Sequence, residues 1–153
     1  MASEKTMAAF RAVQEHLRRN SFSFKAEEEK LRIHFTVNGD PTPITVVFHF
    51  RDEQELMQIF CYLRRIPEGK RMETTIAVAH LNSRFVNGLF DYDISDGEIR
   101  FRVSQKYNTD LTDDLIRYLL SIAFNAANKY NDLLFMLGKD MITMEQFIEK
   151  AEN

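Results

Sequence analysis

The chain contains a single cysteine, Cys61, so an intrachain disulfide framework is impossible and a reducing, cytoplasmic setting is expected. Tryptophan is absent, and there are only three prolines and five glycines in 153 residues. Together with thirteen phenylalanines and 44% hydrophobic residues, this scarcity excludes a disordered or low-complexity chain and leaves enough apolar mass for a substantial core. Charge of one sign is also lacking: 20 basic and 23 acidic residues are interleaved, with a net charge of -3. A phosphate backbone demands a basic stripe, so nucleic acid is not an expected partner. No apolar run approaches the ~20 residues that span a bilayer, and the opening MASEKTMAAFRAVQEHL has no continuous apolar core of the signal-peptide kind. No membrane association is expected. There is no internal repeat, no Gly-rich phosphate loop, no paired catalytic carboxylate motif and no nucleophile elbow. These absences point to a non-enzymatic chain with no cofactor.

The stretch that organises the chain is Thr112 to Leu137, which reads as one long helix. Thr112 is its N-cap, Asp113 and Asp114 place negative charge at the unpaired first-turn N–H groups, and Gly138 follows as a C′ residue able to take φ > 0. Leu115, Leu119, Ile122, Ala126, Tyr130, Leu133 and Leu137 form its stripe, and Ile116, Leu120, Ala123, Ala127 and Leu134 widen it. So broad an apolar surface needs cover on more than one side.

Before it, a helix is predicted from about Glu4 to Arg19, with Met7, Phe10, Val13 and Leu17 on one face. Strands follow at Ser21–Glu27, Lys30–Asn38, Ile44–Arg51 and Gln54–Leu63. Matching apolar faces pairs Phe35 with Phe48 and Val37 with Val46, which sets His34 opposite His49 and Arg32 opposite Arg51. Lys70 to Val86 returns to helical spacing, with Met72, Ile76, Ala79 and Val86 on one stripe and Val78, Leu81 and Phe85 beside it. Leu89–Ile94 and Glu98–Ser104 form a hairpin about a type I′ Asp96–Gly97 turn. Beyond Gly138, Thr143 to Gln146 fits a capping box that opens a short last helix. The order α-β-β-β-β-α-β-β-α-α implies an α+β fold, an antiparallel sheet packed against helices, in one domain over residues 1–153.

Five features carry a resemblance: Leu81–Asn82 near the end of the central helix, the Gly88–Leu89–Phe90 entry to the hairpin, Asp96–Gly97 at its tip, the Arg100–Phe101–Arg102–Val103 return, and the long helix. In these the chain resembles the YbjN-like family of bacterial sensory or regulatory proteins, whose fold is similar to that of type III secretion chaperones. The resemblance implies a small, cytoplasmic, often dimeric protein that holds another polypeptide. The short helix over residues 143–152 is appended to the family pattern.

Three groups of residues suggest chemistry at first sight. The His34/His49 pair offers two imidazoles but no third ligand, and two ligands do not make a metal site. Cys61 faces inward while His49 faces outward, which separates any nucleophile from its base. The run from Asp91 to Gly97 starts like a calcium loop, but its sixth and twelfth places hold Asp96 and Arg102 where a Gly and a bidentate acid are required. What remains is an apolar outward face on the third and fourth strands, Val47, Leu56, Phe60 and Tyr62, with Thr45, His49 and Gln58 as its polar rim. Its cover would be the first helix, a second copy in a homodimer, or another polypeptide. A polypeptide-binding chaperone or regulatory adaptor is therefore the first expectation. A small-molecule-binding or enzymatic domain, with its pocket between the sheet and the long helix, is the second.

Overall fold

Alternation with period two yields six strands, and the helical stretches between them fold over one side of the resulting sheet. The structure, a computed structural model, describes residues 1–107 and 110–153. Helix α1 spans Glu4–Arg19, opened by Ser3, whose side chain accepts from the Thr6 N–H. After it come β1 (Lys25–Glu27), β2 (Arg32–Val37), β3 (Ile44–Arg51) and β4 (Leu56–Tyr62). The second half supplies α2 (Arg71–Asn82), β5 (Leu89–Asp93), β6 (Glu98–Lys106), α3 (Asp113–Gly138) and α4 (Met144–Glu152). Apart from two single 3₁₀ turns, the predicted order of elements is the observed one.

All strand pairs are antiparallel, in the order β1-β2-β3-β4-β6-β5. The α2 connection carries the chain past β4's neighbour position, and the β5–β6 hairpin then brings β6 back against β4. The inward face, with Phe48, Ile59 and Phe101 fully buried, forms one core with Val13 and Leu17 of α1, Ala77 and Leu81 of α2, Ala123 and Leu134 of α3 and Phe147 of α4. Truncating a residue such as Phe101 to Ala would cost about 3–5 kcal/mol, because both its transfer energy and the cavity left behind count against folding.

Several local expectations are corrected. β1 is three residues long: Ser21 takes a φ of 61° and redirects the chain, leaving Phe22 and Phe24 packed on the core outside the ladder. In the β2–β3 pair, Phe35 lies opposite Val46 and Val37 opposite Ile44, a shift of two residues from the predicted register. A two-residue slip returns every side chain to its original face, so the hydrophobic pattern cannot detect it. The β5–β6 connection is a four-residue loop closed by the Asp93/Glu98 pair. Gly97 has a φ of 80° but Asp96 does not have positive φ, so the type I′ turn is not formed. The Asp93 and Asp96 carboxylates instead accept from the Ser95 and Glu98 N–H groups.

On α2, which ends at Asn82, the buried side is Thr74, Ala77, Val78 and Leu81, while Met72, Ile76 and Ala79 face solvent. The predicted stripe is the outward one, and Val86 lies beyond the helix, fully exposed. On α3 the deepest residues are Ile116, Ala123, Ala127 and Leu134, whereas Leu115, Ile122, Ala126 and Leu133 are only half-buried. The helix is thus turned so that small alanines meet the sheet, which allows close approach. Gly138 is the last residue of α3, and the left-handed position falls at Asp140, with a φ of 60°. Gly138 is needed for room: a Cβ there would stand 3.0 Å from Ile66 Cγ2 and 3.2 Å from Pro67 Cδ. At α4 the capping box of Thr143 and Gln146 forms in both directions.

Candidate protein interface

The side of the sheet turned away from the helices is built by the strand ladders. One row across it runs Lys25, His34, Val47, Phe60, Arg102 and Leu89, each directly opposite the next. A neighbouring row sets Thr45 against Tyr62 and Tyr62 against Arg100, and another sets Arg32 against His49 and His49 against Gln58. Val47, Leu56, Phe60 and Tyr62 therefore share one face, with Val47 and Phe60 paired. Helix α1 does not cover them: its Phe10 ring packs 5.5 Å from that of Phe50, on the opposite face.

The observed cover is arginine. Phe60 is only 4% exposed yet lies outside the hydrophobic core, and the Arg100 guanidinium carbon sits 4.0 Å from its ring centre. Arg100 Nη1 donates to the Tyr62 hydroxyl at 3.2 Å and Nη2 to Asp91 Oδ2 at 3.1 Å. Burial works against the Arg100 charge, but the Tyr62 hydroxyl and Asp91 outweigh it and the pKa is raised. Val47, Leu56 and Tyr62 remain half-buried. Arg100 and Arg102 had no place in the sequence reading of this face, because β6 pairs with β4 only after a helix and another strand have intervened.

A shallow depression of about 390 Å³ opens here, floored by Val47, Phe60 and Tyr62 and ringed by Lys30, Arg32, His49, Arg51 and Arg100. His49 is held below the ordinary histidine pKa by burial first, and then by the charges of Arg51, Arg32 and Arg100. Glu27, at one margin, accepts from Arg32 at 2.7 Å and lies 3.4 Å from both Lys30 and His34. The Arg32 hydrogen bond, working against burial and aided by Lys30, brings its pKa to about 2.

The other candidates separate. His34 lies opposite Val47 and His49 opposite Arg32, so the expected cross-strand histidine pair is not made. Among the described residues no group of three His, Cys, Asp or Glu side chains is placed to hold a metal ion. Cys61 is fully buried on the inward face, where burial pushes its thiol up to about 12, the opposite of an activated nucleophile. A groove of about 270 Å³ lies between α1 and α3, lined by His16, Phe22, Leu120 and Phe124 among others. Buried His16 there is occupied by Asp113 at 3.1 Å. Among the described residues, no helix is long and apolar enough to cross a membrane.

The marks that carried the sequence resemblance have structural roles. The Asn82 side chain donates to the Phe90 carbonyl at 3.0 Å and accepts from its N–H at 2.7 Å, doing for β5 what a neighbouring strand would do. Gly88, at a φ of 83°, leaves room for the Phe101 ring, which a Cβ would meet at 2.5 Å.

The layout is that of an α+β fold whose helices cover one face of an antiparallel sheet and leave the other to side chains. Residues 10–136 match the YbjN family, described as "Putative bacterial sensory transduction regulator", and the chain belongs to that family. Helix α4 lies beyond the matched span. Among solved structures, the ExsC–ExsE complex is similar with a TM-score of 0.64 at 15% identity, covering 88% of this chain and 97% of the other. The HopA1–SchA chaperone–effector complex gives 0.60 at 8% identity, over 86% and 99%. YbjN from E. coli gives 0.60 at 7% identity, over 84% and 90%. At such identities the likeness is one of fold. A search of curated proteins found no match to this sequence.

Proposed function

We propose that this chain is a non-enzymatic, cytoplasmic polypeptide-binding adaptor, a chaperone-like regulator that works as a homodimer. The observation that carries the reading is the Val47–Phe60 pair with Tyr62 and Leu56 on a sheet face that no helix covers. Val47, Leu56 and Tyr62 are half-buried around a Phe60 that Arg100 screens, and apolar groups gathered at the centre of a polar surface are the usual anatomy of a recognition site. Two of the similar structures are complexes between proteins, one of them named as chaperone and effector, which supports the same use of the fold here.

The homodimer has separate support. Met72 and Ile76, 68% and 61% exposed, stand one turn apart on α2, and an apolar stripe of this kind can pack on its own copy about a two-fold axis. Met72→Glu/Ile76→Glu is expected to convert the protein to a monomer in sedimentation experiments. For the sheet face, Tyr62→Ser combined with Val47→Thr is expected to abolish recovery of a specific polypeptide by affinity capture while leaving the circular dichroism spectrum unchanged. A folded double variant that retains the same polypeptide would refute the use of this face.

A further inference from the structure

Resting on that reading of the outer face, we propose that the segment bound there is acidic: an extended stretch of another polypeptide whose carboxylates pair with Arg32, Arg51 and Arg100 while an apolar side chain settles on Val47 and Tyr62. The charge arrangement favours this. On a chain of net charge -3, the depression is lined by four cations and no carboxylate. Arg51 makes no ion pair among the described residues, and its Nε donates to the neutral Gln58 side chain at 2.6 Å. The two acids nearest the rim are already shared, Glu27 by Lys30 and Arg32, and Asp91 by Arg100 and Arg102.

Donors are also left over. Arg32 Nε and Arg102 Nε are shielded from water and lack a hydrogen-bond acceptor among the described residues, although Arg102 Nε lies 3.3 Å from Asp91 Oδ2 in poor alignment. The two side chains are nonetheless 39% and 30% exposed, and a carboxylate is the acceptor whose geometry matches the open edge of a guanidinium fork. Burial is the first cause of the low pKa of His49, and the charges of Arg51, Arg32 and Arg100 lower it further. An extended peptide alternates its side chains, so acidic and apolar residues two apart would both face the sheet.

A nucleic acid fits less well. Single-stranded bases bind by stacking on free aromatic faces, and here the Phe60 ring is 4% exposed and already faced by Arg100.

The test uses the full chain with short fluorescent peptides, one alternating glutamate with leucine and one alternating glutamine with leucine, and an oligothymidylate of similar length. The glutamate peptide is expected to bind at least about tenfold more tightly than the glutamine peptide, with affinity falling as salt rises. Arg51→Gln, which breaks no ion pair of the fold, should remove part of that difference, and Arg32→Gln/Arg51→Gln should remove most of it, Arg100 being left in place. Equal binding of both peptides, tighter binding of the oligothymidylate, or no binding of any probe would each overturn the acidic assignment. None of these three results touches the adaptor reading, which fails on its own if the Tyr62 and Val47 variant still captures its polypeptide.

Discussion

The guanidinium of Arg100 lies over Phe60, 4.0 Å from carbon to ring centre, and that phenylalanine is 4% exposed on a face that no helix reaches. The chain thus screens its largest outward apolar group with a side chain that Tyr62 and Asp91 hold in place. Replacing it uncovers Phe60. Arg100→Ala is expected to lower stability by about 0.5–2 kcal/mol, the range for a partly desolvated cation–π contact, and to raise the binding of a hydrophobic dye. Equilibrium urea unfolding and dye fluorescence report the two effects separately. Unchanged dye binding would mean that Phe60 finds other cover.

Acid should loosen the β1–β2 corner through Glu27. Its carboxyl titrates near 2 in the folded chain against 4.5 as a free group, chiefly because of Arg32. A carboxylate with a lowered folded pKa contributes stability that is present above the unfolded value and lost as pH falls toward the folded one. Urea midpoints are therefore expected to decline between pH about 5 and about 2.5, and Glu27→Gln should flatten that decline. His49 acts in the next window up: its lowered pKa means that the unfolded chain binds its proton first, so stability falls as pH drops below 6.5.

Gly97 is the tightest point of the β5–β6 loop. Its φ of 80° suits glycine, and an added Cβ would stand 2.2 Å from the Ile66 carbonyl oxygen, a backbone atom that cannot swing aside. The same Ile66 donates its N–H to the Gly97 carbonyl at 2.8 Å, which fastens this loop to the segment before α2. Gly97→Ala is expected to cost at least about 1 kcal/mol from the left-handed backbone alone, before any displacement of that contact. A thermal melt compared with that of Gly69→Ala, where nothing lies within 4 Å of the added carbon, checks it.

Local signals in the sequence were strong where they depend on neighbours a few residues apart. Thr112 and Thr143 cap the helices they precede, because a capping hydroxyl needs only an N–H two or three residues on. The outward placement of Val47, Leu56, Phe60 and Tyr62 was likewise legible, since a strand's faces alternate whatever pairs beside it. Rotations and registers were not. A slip of two residues between β2 and β3 preserves the pattern, and the outward stripe of α2 is as apolar as a buried one.

By itself, then, the chain's order of residues determined its elements, its element order and which side of β3 and β4 is apolar, because each follows from propensity and period within a single segment. Only the tertiary structure decided that β6 lies against β4, and with it that Arg100 stands over Phe60, with Arg102 opposite in the ladder, and turns an oily patch into a basic one. That outcome depends on where a helix and a hairpin leave the chain some forty residues later, a long-range choice made by packing of the whole core.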